Sequence, residues 1–336
     1  MTTRRVTLLD VARRAGVSVT TVSRVVNEGP NVRPDVRERV RAAVAELGYR
    51  PHPVARSLRS GRDATIGVVV DSLADIFFAT IADTVERLAV PRGLAVTIGT
   101  SGRDHEREHG LVELFLERQV AGLVLVPVAD SPGYLPLLGR GTPAVFVDRP
   151  VAGPFDAVIG DDHGGALRGT SHLLDHGHRR IAFLGDSTLI HTSRARLDGY
   201  RQALAAAGVP VADEIVVTGC PQPPEAAAAV ERLLAADAPP TAIFSSNMRC
   251  TVGAVSVLHS RARTDVAVVG FGDFPLADVL DPAVTVLDQD PVGVATRATR
   301  RLFDHLDGTA AEEPVTSVVP VHLVPRGSGE LPCAPS

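Results

Sequence analysis

Residues 7–27 are punctuated so that two short helices and a tight turn are almost the only structure they can adopt. Thr7 carries a hydroxyl that can accept from an orphan backbone N–H, which makes it a good N-cap. Leu8, Val11, Ala12 and Ala15 follow at helical spacing, and Gly16 stands where a left-handed residue ends the helix. Ser18 then caps a second helix, whose Val22, Val25 and Val26 face inward while Val19, Thr20, Ser23 and Arg24 face outward. Ala12 and Gly16 are small enough for the two helices to cross closely, as a helix-turn-helix requires. A third helix follows, with Pro34 at its first position, an apolar stripe of Val36, Val40, Val44 and Leu47, and a stop at Gly48.

The outward residue types suit the edges of base pairs. Arg pairs with guanine, and Val or a Thr methyl packs on a thymine methyl; Thr21 and Asn27 suit phosphates, which position without specifying. Charge agrees with this. Residues 1–60 hold twelve Arg against five Asp or Glu, a net of +7, in a chain whose formal charge is −5, which leaves −12 on residues 61–336. A basic head on an acidic body is the footprint of a DNA binder whose body stays off the phosphates. The alternative is a three-helix domain whose basic face meets another partner. Residues 51–60 (Pro-His-Pro-Val-Ala-Arg-Ser-Leu-Arg-Ser) are too short and polar for a stable helix alone, but can fold on a surface that supplies the missing contacts.

At 336 residues and 45% apolar content the chain has room for two or three domains with ample core. All 34 basic residues are Arg, an association with a GC-rich, bacterial coding bias. Cys220, Cys250 and Cys333 are isolated, so neither a disulfide framework nor a metal cluster is indicated, and no cofactor is implied. No signal peptide opens the sequence and no apolar run reaches membrane-spanning length; the expected compartment is the cytoplasm, with no membrane partner.

From residue 64 short apolar runs read as buried parallel strands: 65–70, 94–99, 122–127, 144–147, 157–159, 181–185, 214–217, 242–245 and 266–270. Helical patterns lie between most of them, at 76–88, 106–119, 166–176, 194–207, 224–235 and 253–260. This alternation argues for doubly wound α/β sheets, and the number of units for two similar subdomains. Ligands bind such sheets at the carboxyl ends of strands, where Asp71, Asp148, Arg149, Asp161, Asp162, Asp186, Asn247 and Asp273 fall. Two half-shells with polar lips make a cleft for a small polar molecule.

The chain resembles the lactose-repressor/galactose-repressor family of transcription regulators from end to end. The resemblance is carried in the head by TLLDVARRAGVSVTTVSRVVN, VRERVRAAVAELGYRP and ARSLRSGR. In the body it is carried by TIGVVV, VAGLVLVP, PAVFVDRP, HGHRRIAFLG, RLDGYRQAL, PPTAIFSSN, VAVVGFGDFPLA and HLVPRGS. It implies an all-α helix-turn-helix head (1–50), a hinge helix (51–61) and an α/β core of two doubly wound subdomains like periplasmic binding proteins. The N-subdomain would span 62–161 and 291–325, the C-subdomain 162–288, and 326–336 would be a flexible tail. It also implies a homodimer or tetramer on a near-palindromic operator in double-stranded DNA, controlled by a small-molecule effector. Contacts to DNA would come from Thr7, Leu8, Ser18, Val19, Thr20, Thr21, Ser23, Arg24, Asn27, Asn31, Tyr49, His52, Ala55 and Leu58. Leu58 would be wedged in the minor groove, with core packing the weaker alternative for a Leu there, and the family usually has Asn where His52 stands, which leaves the contact at that position open. The effector would meet Asp71, Phe77, Asp148, Arg149, Asp161, Arg196, Asn247, Asp273 and Gln289, with Arg196 as the anchor.

The cleft departs from the sugar-binding pattern. Met248 follows Asn247, Gly272 takes the place of a common hydroxyl-accepting Asp, and Pro221 that of a stacking aromatic. A sugar or sugar derivative therefore stands beside a differently shaped ligand or a degenerate site. Two other classes are weighed and disfavoured: a solute-binding protein, against which the head at residues 1–60 counts, and a zinc enzyme using His172, His176 and His178, whose spacing suits a metal but better fits surface positions and the turn into a strand.

Overall fold

The computed structural model describes residues 6–26, 32–48, 63–139 and 141–333. The hinge and Asn27, Asn31, Tyr49, His52, Ala55 and Leu58 lie outside the described residues. The chain divides into two compact units, 1–64 and 65–336.

In the first unit, α1 (Leu8–Ala15), α2 (Val19–Val26) and α3 (Pro34–Leu47) enclose a core of Val11, Ala12, Ala15, Val22, Val25, Val40 and Ala43. The caps do what the residue types foretell. Thr7 Oγ1 accepts from Asp10 N at 3.3 Å while Asp10 Oδ2 accepts from Thr7 N at 2.9 Å, and Gly16 closes α1 at φ 66°, where any side chain would be strained. Arg14 on α1 reaches Glu46 on α3, with Nη2 donating at 2.9 Å.

The second unit holds two six-stranded sheets. The first lobe is built from β1 (Asp63–Val70), α4 (Ile76–Ala89), β2 (Ala95–Thr100), α5 (His105–Glu117), β3 (Val120–Leu125), α6 (Leu135–Leu138), β4 (Ala144–Val147) and β5 (Asp156–Gly160). The second repeats the plan with α7 (Asp162–Asp175), β6 (Ile181–Leu184), α8 (His191–Ala206), β7 (Val216–Val217), α9 (Pro223–Leu234), β8 (Ala242–Ser245), α10 (Met248–Ser260), β9 (Ala267–Phe271) and β10 (Thr285–Asp288). The chain returns to the first lobe for α11 (Pro291–Asp307) and β11 (Thr316–Val319), then crosses again for β12 (His322–Val324). Strand orders are β11-β5-β4-β3-β1-β2 and β12-β10-β9-β8-β6-β7. Pairing is parallel except β10 with β12. Strands β3, β6, β8 and β9 are buried along their whole length, as runs covered by helices on both faces must be. Both sheets reverse winding direction at their first strand, so their switch points, β1/β3 and β6/β8, each open a crevice at the carboxyl ends.

Two expectations are corrected. Residues 322–325 do not belong to the first lobe: Val286 pairs with Val324 and Leu287 with Leu323 at the edge of the second sheet. Val321, 2% exposed and packed in the second lobe's core, draws the chain across. Nor is 326–333 a loose tail. Ser328, 3% exposed, donates to Val268 O at 2.6 Å and accepts from Thr285 N at 2.9 Å. Glu330 receives Thr285 Oγ1 at 2.8 Å and lies 2.5 Å from His172 Nε2.

Candidate functional site: a polar cleft and the exposed face of the second helix

A cavity of about 380 Å³ lies where the two lobes' strand ends meet. From the first lobe it is lined by Phe77 and Phe78 at the start of α4, Arg103 after β2, and Asp148 and Arg149 after β4. From the second come Asp186 after β6, Thr192, Ser193 and Arg196 on α8, Asn247 and Met248 at the start of α10, and Asp273 and Phe274 after β9; Gln289 follows β10.

Arg196, 6% exposed, is fixed from three sides. Its Nε donates to Asp162 Oδ1 at 2.7 Å, its Nη2 is 2.6 Å from the same oxygen, and its Nη1 donates to Ser246 O at 2.7 Å. Its guanidinium carbon lies 3.8 Å from the centroid of the Phe271 ring. A guanidinium has five N–H groups, so two remain for a ligand. Burial pushes the Asp162 carboxyl up to about 6 even with Arg196 beside it, and burial also raises Asp148.

Arg149 Nη2 donates to Asp71 at 2.8 Å, its Nη1 to Pro127 O at 2.8 Å, and Asp148 lies 3.1 Å from its Nε. Arg103 contacts Asp71 at 3.4 Å and is paired with Asp186 across the lobes. Arg249 with Asp75 at 3.4 Å and Arg194 with Asp130 at 2.8 Å also join the lobes. Each Arg lining the cavity thus already faces a carboxylate, and the lining as a whole holds five Asp against three Arg.

Of the expected ligand contacts, Phe77, Asp148, Arg149, Arg196, Asn247, Asp273 and Gln289 meet at this cavity. Asp71 does not line it; it lies beneath, 1% exposed, holding Arg149. Asp161 is not part of it either: it caps α7 through Gly164 N at 3.0 Å and accepts from Arg168 at 3.0 Å. Asp273 is gripped by both terminal nitrogens of Arg326, at 2.8 and 2.6 Å, which holds its carboxyl below the usual range. Gly272 has φ +89°, and a Cβ there would stand 2.9 Å from Gln289 Oε1. Pro221 is not among the lining residues, and Phe77 and Phe274 supply aromatic surface instead. Arg103 and Phe274 were not read from the sequence. The signal for Arg103 is weak: a loop Arg behind a glycine, itself at φ 65°.

On the head, Val19, Thr20 and Arg24 are exposed on one side of α2. Ser23 is corrected: it is 6% exposed, because one helical step of about 100° leaves it beside Val22 at the edge of the core. Leu8 packs against the head's core. Thr21 N donates to Ser18 Oγ at 3.1 Å and the two hydroxyls lie 2.8 Å apart, so Ser18 caps the helix and the Thr21 hydroxyl is engaged with it. The three histidines weighed as zinc ligands have other partners: His178 lies 3.0 Å from Thr241 Oγ1 and 2.9 Å from Leu331 O, His176 2.8 Å from His172 O, and His172 faces Glu330. Among the described residues no group of three or more candidate ligands could hold a metal, and no helix is long and apolar enough to cross a membrane.

A helix-turn-helix and a pair of switch-point sheets closing on one polar cavity, in a single chain, define a ligand-responsive DNA-binding regulator. The chain matches bacterial regulatory proteins of the lacI family over residues 7–52 and a periplasmic binding protein-like domain over residues 170–329. It is 34% identical over 340 residues to the transcriptional regulator CelR of Thermobifida fusca, covering 97% of this chain and 99% of that one. It is 32% identical to GalR of Escherichia coli K12, covering 97% and 96%. The lac repressor dimer bound to operator and the anti-inducer ONPF superposes with a TM-score of 0.86 at 28% identity, covering 97% of this chain and 99% of that one. The chain belongs to the lacI family of bacterial regulatory proteins and is a DNA-binding transcription regulator.

Proposed function

We propose that the chain is a cytoplasmic homodimeric repressor whose operator affinity is set by a neutral polyhydroxyl ligand, a sugar or sugar derivative, in the interlobe cavity. The observation that carries the ligand class is the pairing of every lining Arg with a carboxylate. An anionic ligand would find no uncompensated cation there and would meet the surplus of Asp. Hydroxyls fit better: the two N–H groups left on Arg196 donate, the Asp148 carboxylate and Gln289 Oε1 accept, and Phe77 and Phe274 offer faces to the C–H side of a ring.

In this reading Val19, Thr20 and Arg24 read base edges, Thr7, Ser18 and Thr21 set the helix on the phosphates, and the hinge transmits the cleft's state. Asp71 supports Arg149 without touching the ligand. Binding and control, not catalysis, is the role: the relatives matched along the whole chain are regulators, and the histidines weighed for a metal are engaged in packing the C-terminal segment.

A thermal-shift screen of sugars, polyols, sugar phosphates and nucleobases on the full chain tests the ligand class. A ligand at 100 times its Kd adds about 2.7 kcal/mol, a shift of several degrees. Neutral sugars should produce it. Shifts from anionic compounds alone would overturn the assignment.

A further inference from the structure

A cavity lined by five Asp and three Arg that turns anions away should, on charge alone, draw cations in. The excess of Asp is larger than that count, because Arg149 and Arg196 are also directed at Asp71 and Asp162, neither of which is in the lining. Two Arg from outside the lining offset it. Arg249 faces the lining residue Asp75 at 3.4 Å, and Arg326 grips the lining residue Asp273.

Arg326 carries more of this than Arg249. Its Nη1 and Nη2 donate to the two carboxylate oxygens of Asp273 at 2.8 and 2.6 Å, a bidentate pair. Asp288, a second lining carboxylate, and Asp278 also lie close enough to raise the pKa of Arg326. The guanidinium arrives from a fixed backbone. Arg326 N donates to Thr285 Oγ1 at 3.0 Å, and Ser328, two residues on, is bonded to Val268 O and Thr285 N. On Asp273, the two bonds from Arg326 and one from Phe274 N at 2.8 Å take up three of the roughly four acceptor positions that a carboxylate offers. Little of that carboxylate is left for the ammonium group of a ligand.

We propose that Arg326 is a positioning residue that sets the charge selectivity of the cavity: by occupying Asp273 and offsetting Asp288 it disfavours protonated amines and leaves the site to neutral polyols. This rests on the polyol reading of the cavity and adds how cations are rejected. Discrimination arises here by cancelling an attraction to the wrong ligand, not by adding a contact to the right one. It also gives the C-terminal segment a part in ligand choice, since that segment delivers the guanidinium from outside the lining.

Isothermal titration of the full chain with glucose, galactose and mannose, with the protonated amines glucosamine, galactosamine and mannosamine, and with glucose 6-phosphate tests this. The wild-type chain should bind a neutral sugar at least as tightly as its amine. Arg326→Met should raise the affinity for at least one amine, relative to its neutral parent, by about fivefold or more, as one half-exposed ion pair would give. Arg326→Lys, which keeps the charge but not the paired geometry, should hold the ratio near wild type. Ser328→Ala loosens the same segment without touching its charge, so it should lower the melting temperature and leave the ratio alone; a merely structural Arg326 would behave in the same way. Asp273→Asn, which leaves Arg326 uncompensated, should move the preference the other way, toward glucose 6-phosphate, and tests the pairing even if Arg326→Met does not fold. Ratios within about twofold of wild type in Arg326→Met, or an unchanged phosphate preference in Asp273→Asn, with neutral sugars still bound, would overturn the role of Arg326 and leave the polyol cleft standing. A wild-type preference for amines, or failure of every neutral sugar, would overturn both.

Discussion

Replacing Arg196 with Met keeps an unbranched, though shorter, side chain and removes the charge that Asp162 faces. Three contacts go: two to Asp162 Oδ1, at 2.7 and 2.6 Å, and one to Ser246 O at 2.7 Å, along with the stacking on Phe271. Both side chains of the ion pair are 7% exposed, so water cannot take over the orphaned carboxylate. Breaking a buried pair from one side costs about 3–5 kcal/mol. Adding Asp162→Asn should return much of that, since an amide is far cheaper to bury than an unpaired charge. With no Trp in the chain, guanidinium unfolding is best followed by far-ultraviolet circular dichroism. The single variant should lose stability on that scale and the double variant clearly less. A single-variant loss below about 1 kcal/mol, or a double variant as unstable as the single, would refute the claim that Arg196 is anchored by an otherwise intolerable Asp162.

Because burial lifts Asp162 to about 6, the folded chain holds that proton more tightly than the unfolded chain. Its contribution to stability is therefore gained as pH falls through about 6 toward the ordinary carboxylate range. Asp148 has the same sign, while Asp273, lowered by Arg326, works in the opposite sense below its unfolded value. Asp162→Asn should flatten the rise in stability between pH 7 and 5; an unchanged slope would remove Asp162 as its source. Deleting 327–336 takes away the hydrogen bonds of Ser328 and Glu330 and should cost about 2–4 kcal/mol at roughly 1 kcal/mol per bond; a melting temperature within a degree of the full chain's would show that the segment holds nothing. Arg24→Ala should cost about 1–3 kcal/mol on the operator, and an equal loss on nonspecific duplex would reduce Arg24 to a phosphate contact.

The head was legible because its signals are local. Thr7, Gly16, Ser18, Pro34 and Gly48 each fix a cap or a stop within four residues. Ser23 misled because a small polar residue at the edge of a helix's buried arc can face either way, and only packing decides. The doubly wound core was legible from buried apolar runs, yet β12 was not: three residues, His322–Val324, carry no period, and their place depends on Val321 finding a core distant in sequence. The same holds at the site. Arg196 and Asn247 are recognisable one at a time, but the grip of Arg326 on Asp273, 53 residues away, and of Arg149 on Asp71, 78 residues away, is a tertiary fact. Those pairings turn a cleft that looks charge-rich in sequence into one whose cations are spoken for.

The central claim is that cleft and head are two ends of one switch. It is tested most directly by enriching a binding site for the full chain from random duplex DNA and measuring its Kd with the cleft empty and with the cleft saturated by the saccharide that binds best. Near-palindromic half-sites about one helical turn apart are expected. The ligand should change the operator Kd by a factor of about 5–150, and operator should change the ligand's Kd by that same factor. An operator Kd that stays the same at saturating ligand would contradict the account.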